Sequence, residues 1–364
     1  RSTFCQRVFV DIDLDNSAAS KQYYRSGDEE MQRVGYWWSD KKDKDVPSEL
    51  LRKHLRDYNL ELVKLDLNRP FEEQGQFAVI VHKLCDMLVK EIGGDVYAAS
   101  ICRRFDAFCA ANPQMRVLDP LSSVRSILDR HCQYLLVKDA LDRLHEDISV
   151  PPFVRLDAAA PEKNIRHVND NRLQFPLVCK PIIAHGSEAH LMYLIFNECG
   201  LRKLDLFPCV VQQFIPHGSV LYKVFVVGST FSVIKRPSLK NVVAPFAEDL
   251  IRFNSHDISK PDAKSPLSDK ETWLRPDERG DSVAFSERLA RTVDAVRHAT
   301  RQTLCGIDII IDQNTGCLYV IDVNNFPGYS GMENFLWKLT QLITSSTAVQ
   351  AGQPTSATNG LVVT

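Results

Sequence analysis

The sequence predicts an α/β protein of α+β type, with a parallel Rossmann-like layer toward its N-terminal side. Three observations carry that expectation. From Val34 to Leu84, short strand-like runs alternate with helical stretches, the pattern of parallel βαβ units. Farther on, two pairs of strand-like runs are joined by short Gly-containing turns, at Gly228-Ser229 and at Asn314-Thr315-Gly316, as antiparallel hairpins are. The chain has 364 residues, more than one hydrophobic core usually serves, so two or three subdomains are expected.

Taken in order, SAASKQYYRSGDEE is polar and lacks a clean period, and the stretch 1–32 reads as a mobile extension. VGYWW reads as the first strand, SDKKDKD as a polar loop, and PSELLRKHLRDYN as an amphipathic helix with Pro47 near its start. LELVKLDL and FAVIVHKL are the next strands. Helical stretches follow at Tyr97–Ala111 and Ser122–Leu144, and VPPFVRL and FPLVCKPI re-enter a sheet. LMYLIFNECGL reads as a helix closed by Gly200, and PCVVQQFI as a strand before a turn at PHG. SVLYKVFVVG and TFSVIKRPS form one hairpin, 254–280 is a polar loop, and SERLARTVDAVRHATRQTL is a helix by its apolar spacing. After Thr344 the chain is small and polar and reads as a disordered tail.

A formal net charge of -2 gives no global field toward nucleic acid or a membrane, so a polyanion site has to be built locally. No apolar run approaches a membrane span. The opening RSTFCQRVFVDIDLD makes a poor signal peptide, and the missing initiator Met is expected to mark a trimmed start. Ten cysteines without a C-x-x-C, several of them inside apolar runs (Cys179, Cys209, Cys305, Cys317), read as reduced thiols of a cytoplasmic protein.

The C-terminal hairpin GIDIIIDQNTGCLYVIDVNNFPG holds the chemistry. A three-residue loop with Gly316 in the left-handed region makes Gln313 oppose Cys317 and Asp308 oppose Asp322. Ile307, Ile309, Ile311, Tyr319, Ile321 and Val323 then form a core face, and Asp308, Asp322 and Asn324 the other. Two carboxylates with Cβ atoms ~5 Å apart repel unless a cation lies between them. Asp/Asp/Asn oxygens suit Mg²⁺, and Asp322 is placed to bridge two ions with Asn324 on the second. The alternative is a solvated acidic face.

Basic residues near strand ends are candidates for phosphate: Lys180 after FPLVC, Lys223 mid-strand, then Lys235, Arg236, Ser238 and Lys240. Lys41, Lys42 and Lys83 follow N-terminal strands, at the carboxyl edge where parallel sheets bind ligands. In AHGSEAH, His185 and His190 flank a flexible loop; a zinc pair is one reading, a hydrogen bond to an anion another. PCVVQQF offers a strand whose backbone reads an adenine edge, beginning at Gln212.

GYWWSDKK, HKL, VLDP, FPLVCK, AHGSEAH, VVQQFI, LYKVFVVG, RPSLKN, FNSH, GIDIIID and VIDVNNFPGY occur in order from about Val34 to about Ile343. Together this set resembles the inositol 1,3,4-trisphosphate 5/6-kinase (inositol-tetrakisphosphate 1-kinase) family. The resemblance implies an ATP-grasp fold preceded by a Rossmann-like pre-ATP-grasp domain. It divides the chain into an extension (1–32), the N-terminal domain (33–128), central (129–210) and C-terminal (211–345) ATP-grasp subdomains, and a tail (346–364). It implies transfer of the ATP γ-phosphate to a hydroxyl of an inositol polyphosphate, with two Mg²⁺ ions, by a cytoplasmic monomer that neither binds nucleic acid nor inserts in a membrane.

By the same resemblance Arg130 and Lys180 bind ATP, Gln212 through Lys223 form the adenine side, and Ser238, Ser255 and Ser259 line the nucleotide site. Lys42, Lys83, His190 and Lys223 meet substrate phosphates, with Gly328 through its backbone. Asp308 takes one Mg²⁺, Asp322 both, and Asn324 the second while touching substrate. Asn325, Pro181 and the composition of 254–280 depart from the family pattern. Two other readings share the hairpin: an ATP-grasp carboxylate–amine ligase, which has no need to gather Lys42, Lys83 and His190 on phosphates, and an inactive nucleotide- or inositol-phosphate-binding scaffold.

Overall fold

The computed structural model describes residues 12–13, 31–242, 247–259, 265–269 and 283–348. The expected extension (apart from Ile12–Asp13 and its last two residues), most of the 254–280 loop and the chain beyond 348 lie outside them. The chain forms two units: a smaller one of 22–82, 103–118 and 334–364, and a larger one of 1–21, 83–102 and 119–333. Strands run from β1 (Ile12–Asp13), which pairs with Phe231 and Thr230, to β15 (Leu318–Asn325).

In the smaller unit, β2 (Gln32–Trp37), β3 (Leu60–Lys64), β4 (Val79–His82) and β5 (Arg116–Leu118) make a parallel sheet in the order β3-β2-β4-β5, as the alternating pattern predicts. SDKKDKD is not all loop. Ser39 accepts from the Lys42 amide and caps a short helix, α1 (Asp40–Asp43), in which Lys42 is buried. α2 (Ser48–Arg56) follows Pro47 and buries Leu51 and Leu55.

The larger unit begins its helices with α3 (Cys85–Ile92) and the first part of α4 (Val96–Ala111). The helical stretch expected over Ser122–Leu144 consists of two helices, α5 (Leu121–Leu128) and α6 (Arg130–Asp142). Asp129 is extended, accepts from the Cys132 amide at 2.9 Å as the cap of α6, and bridges to Ile183. An Asp that satisfies a helix start makes this break favourable, and it fixes Arg130 as the first residue of α6.

β7 (Phe153–Leu156), β8 (Leu177–Pro181), β9 (Leu191–Ile195), β10 (Cys209–Gln213) and β13 (Leu250–Asn254) form an antiparallel sheet ordered β13-β9-β8-β10-β7. α7 (Pro161–Asp170) and α8 (Glu198–Arg202) cover it, with Ile165, Val168 and Leu201 in its core. LMYLI is therefore a strand, not a helix; it is apolar throughout because all but Leu191 of its residues are buried, and such a run has no period to betray it. Gly200 lies inside α8, not at its end. A Cβ there would fall 1.9 Å from the Asp249 carbonyl oxygen, so the residue is small because another backbone approaches it.

The second sheet is β1-β12-β11-β14-β15-β6, with β6 (Ile148–Ser149), β11 (Val220–Val227), β12 (Thr230–Pro237), β14 (Leu304–Ile311) and β15. Ile307, Ile309, Ile311, Leu318, Val320 and Val323 pack with Val137 and Leu141 of α6 and Leu289 and Val293 of α10 (Val283–Thr300). α9 (His256–Ser259) occupies part of the expected loop. α11 (Phe335–Ala348), in the smaller unit, runs four residues past Thr344. Ser345, Ser346 and Thr347 donate back to the carbonyls of Leu342 and Thr344; polar hydroxyls satisfied within the helix hide it from a composition-based reading.

Candidate active site

Asp308 and Asp322 are opposed as the sequence predicts, but by two compensating departures. Asp312 donates its amide to Cys317 at 2.9 Å, and Ile311 pairs with Leu318. The loop is therefore four residues, 313–316, with Gly316 at φ +73°. The register then shifts beside Asp308, where Ile309 pairs with Val320 and Asp308 with Asp322. Ile321 is the extra residue of a bulge, which reverses the facing of the strand beyond it. Tyr319 and Ile321 consequently leave the predicted core face and pack with Ile215, Leu221 and Ile310; Leu318 and Val320 take that face.

Across three strands the result is a row of charges, Lys223 on β11, Asp308 on β14 and Asp322 on β15. Lys223 Nζ is 2.5 Å from Asp308 Oδ1. At an effective dielectric of about 20, two carboxylates ~5 Å apart repel by roughly 3 kcal/mol. Burial raises the Asp308 pKa, Asp322 adds to the rise, and Lys223 opposes it. Asp322 Oδ1 is buried and has no hydrogen-bond partner. Its Oδ2 accepts from Asn324 Nδ2 at 3.3 Å.

β15 pairs with β6 only at Leu318 and Tyr319, so the rest of that edge needs other partners. Gln133 brackets Val323, donating to its carbonyl at 2.8 Å and accepting from its amide at 3.0 Å. The bulged Ile321 carbonyl accepts from Tyr134 Oη at 2.9 Å and from Lys180 Nζ at 2.7 Å, and Lys180 Nζ also donates to Tyr134 Oη at 2.9 Å. Burial lowers the Lys180 pKa to about 8 against the pull of Asp322. Arg130 is 2% exposed. Its terminal nitrogens donate to the carbonyls of Pro181, Ile183 and Ala189, and its Nε lies 3.7 Å from Asp322 Oδ1. It thus holds the segment after Lys180 while aiming charge at the hairpin.

Other candidates stand in separate clusters. Lys83 Nζ donates to the carbonyls of Asn325 (3.2 Å) and Phe326 (2.7 Å), just past Asn324. Asn325 itself is buried, with its amide on Gln302 at 2.7 Å. His190 Nδ1 is 3.2 Å from Ser255 Oγ, and its ring centroid is 3.6 Å from that of His256. Burial, then His256, lowers the His190 pKa to about 4, so it meets neighbours as a neutral hydrogen-bonding ring.

Ser238 Oγ is 2.7 Å from Nε2 of the buried His217, whose Nδ1 is 2.6 Å from the Ile215 carbonyl. A carbonyl only accepts, so Nδ1 carries the proton and Ser238 donates to Nε2. Gln212 is buried in β10, and its Nε2 has no partner. Ser259 ends α9, Gly328 is exposed, and Lys235 is buried. Lys42 belongs to the smaller unit. Gln133 and Tyr134 escape a sequence reading because nothing local marks a helix side chain that will serve a strand some 190 positions away; His217, in the turn before β11, escapes it because its partner Ser238 lies beyond that strand and the next.

The donor set suits a hard divalent cation. Asp308 and Asp322 offer carboxylate oxygens at the row, and Asn324, whose Nδ2 rests on Asp322, adds an amide oxygen; the Asp322 oxygen that accepts no hydrogen bond is the buried acceptor that such an ion would satisfy. Among the described residues no helix is long and apolar enough to cross a membrane.

Comparison with known proteins agrees with this architecture. Residues 142–345 match the model of the inositol 1,3,4-trisphosphate 5/6-kinase ATP-grasp domain, and 33–124 that family's pre-ATP-grasp domain. The chain is 40% identical over 315 residues to an inositol-tetrakisphosphate 1-kinase of Xenopus laevis, covering 86% of this chain and 78% of that protein. It is 32% identical to inositol-tetrakisphosphate 1-kinase 3 of Arabidopsis thaliana, covering 86% and 84%. Among solved structures, D-alanine–D-alanine ligase from Bacillus anthracis superposes with a TM-score of 0.54 at 13% identity, covering 88% of this chain and 99% of that one. The ATP-grasp ligase PsnB with its minimal precursor gives 0.52 at 12%, covering 88% and 100%. These likenesses establish an ATP-grasp fold, and the sequence matches are more specific: the chain belongs to the inositol 1,3,4-trisphosphate 5/6-kinase family.

Proposed function

We propose that this chain is a kinase that transfers the γ-phosphate of ATP to a free hydroxyl of an inositol polyphosphate. The acceptors are the 5- or 6-hydroxyl of inositol 1,3,4-trisphosphate and the 1-hydroxyl of inositol 3,4,5,6-tetrakisphosphate. The family and the names of its relatives support the substrate class. The observation that carries the chemistry is the buried Asp322 oxygen directly opposite Asp308, which accepts no hydrogen bond and has only the more distant charge of Arg130 beside it.

Asp308 would hold one Mg²⁺, Asp322 both ions and Asn324 the second; when bound, they neutralise charge on the transferred phosphoryl group. The chain's own residues position and balance charge around them. Lys180 has three N–H groups; two lie on Tyr134 and Ile321, and the third is for a nucleotide phosphate beside the acids. Arg130 supports that lysine's strand end and adds positive charge. Gln212 through Lys223 take the adenine side, with Ser238, Ser255 and Ser259 along the nucleotide.

Lys223 balances Asp308 and meets a substrate phosphate, together with Lys83, neutral His190 and the Gly328 backbone. A loose transition state asks for positioning more than for a strong base, so the hydroxyl's in-line placement is the main task of these contacts. The nine described cysteines, all free, suit a reducing cytoplasm, where we place the protein as a monomer. The test is incubation with γ-labelled ATP, Mg²⁺ and a panel of inositol phosphates, followed by chromatography. Label on a tris- or tetrakisphosphate acceptor is the expected product; label on none of the panel would end the proposal.

A further inference from the structure

His185 has no part in the chemistry above, yet it meets two side chains from the start of α3. Its Nε2 lies 2.5 Å from Asp86 Oδ1 and 3.4 Å from Cys85 Sγ. One ligand atom from each of the three lies within 4.8 Å of the others. In an array of nucleophile, base and orienting acid, the imidazole uses its two nitrogens for two partners. Here a single nitrogen faces both, so the three donors converge on one point.

The spacing fits zinc. Zn–S of ~2.3 Å and Zn–N of ~2.0 Å in a tetrahedron put sulfur and nitrogen roughly 3.5 Å apart, against the 3.4 Å between Cys85 and His185. Asp86 is nearer to the ring than the roughly 3.3 Å expected of two ligands on one zinc ion, because it now shares a proton with His185. Burial alone would lower the His185 pKa, but the bonds to Asp86 and Cys85 outweigh it and push it up to about 9. The side chains of His185 and Asp86 are 26% and 39% exposed, which leaves the carboxylate room to turn and gives an ion a route in; Cys85 is buried.

We infer that Cys85, Asp86 and His185 form a binding site for one Zn²⁺ ion, with water as the fourth ligand. Binding would release the thiol proton and the proton between Asp86 and His185. Sulfur and nitrogen donors separate this site from the all-oxygen hairpin. The ion would tie the segment just after Lys83 to the loop that carries His190 and receives Arg130 at Ile183 and Ala189. It would therefore fix two phosphate-binding candidates from outside the reaction centre.

The full chain, freed of metal and held in excess Mg²⁺, is titrated with Co²⁺ and followed by absorption. A thiolate-to-cobalt charge-transfer band should saturate at one equivalent and vanish on adding one equivalent of Zn²⁺. It should be lost in Cys85→Ser and in His185→Gln. No band in the unaltered protein, or a band of equal intensity in Cys85→Ser, would overturn the site; the second result would move the metal to another thiol, such as exposed Cys132 or Cys199. The readout is spectral, so it stands apart from whether the chain phosphorylates any inositol phosphate.

Discussion

Lys223 and Asp308 face each other across β11 and β14, Nζ to Oδ1 at 2.5 Å, while Asp308 also faces Asp322. That ammonium is hydrogen-bonded to Asp308, while Arg130 stands 3.7 Å from Asp322. Lys223→Met should therefore leave a repelling pair. Because both partners of the broken ion pair keep some solvent contact, the loss is set below that of a fully buried pair, at about 1–3 kcal/mol in metal-free protein. Thermal unfolding with and without Mg²⁺ checks this; the cation should restore most of the loss.

Asp322→Asn should act on turnover far more than on stability. Asp308 is relieved of a like charge, while buried Arg130 loses the carboxylate 3.7 Å from its Nε, so the two changes oppose each other and the melting temperature of metal-free protein should move little. Asp308 itself has a pKa raised in the fold, first by burial. Its contribution is present at acid pH, below the ordinary carboxylate value, and is lost as pH rises through the raised one. Turnover should fall by at least ~10²-fold, the scale of losing a preorganised charge contact. Paired melting and rate measurements would expose a purely structural Asp322, which would lower the melting temperature and spare the rate.

Lys180 should impose a basic limb on nucleotide use. Its folded pKa of about 8 lies below the usual 10.5, so between those values the folded state holds fewer protons than the unfolded one. Through this group stability rises with pH across that window, while the charge needed for phosphate is lost. The value of kcat/KM for ATP, which reports the free enzyme, should decline above about pH 8. Lys180→Arg, always charged, should be slower but flat over the same range.

His217 should contribute to acid unfolding. Burial lowers its pKa from 6.5 to about 4, so its stabilising contribution is present above pH 6.5 and is lost as pH falls toward 4. The integrated loss is about 2–3 kcal/mol. In denaturant titrations over that range, His217→Gln should start less stable and decline less steeply. A parallel decline would assign the acid sensitivity to other groups.

Much of this was legible in sequence because it is local. The parallel sheet shows in the alternation after Val34, and the acidic row in the spacing of Asp308, Asp322 and Asn324 about a Gly turn. What was not legible depends on distant partners. The bulge at Ile321 is held by Tyr134 and Lys180 from other elements, so its effect on Tyr319 could not be read from the hairpin. LMYLI gave no period, and Gly200 answers to the Asp249 backbone, not to its own helix. His185 looked for a zinc partner nearby, whereas Cys85 comes from 100 residues away.

The central claim is that the hairpin acids hold the cations that phosphoryl transfer uses. Its most direct test is anomalous diffraction from crystals grown with Mn²⁺ and a non-hydrolysable ATP analogue. The account predicts one peak bound by both Asp308 and Asp322 and a second by Asp322 and Asn324. Manganese bound to the nucleotide but away from all three side chains would contradict it.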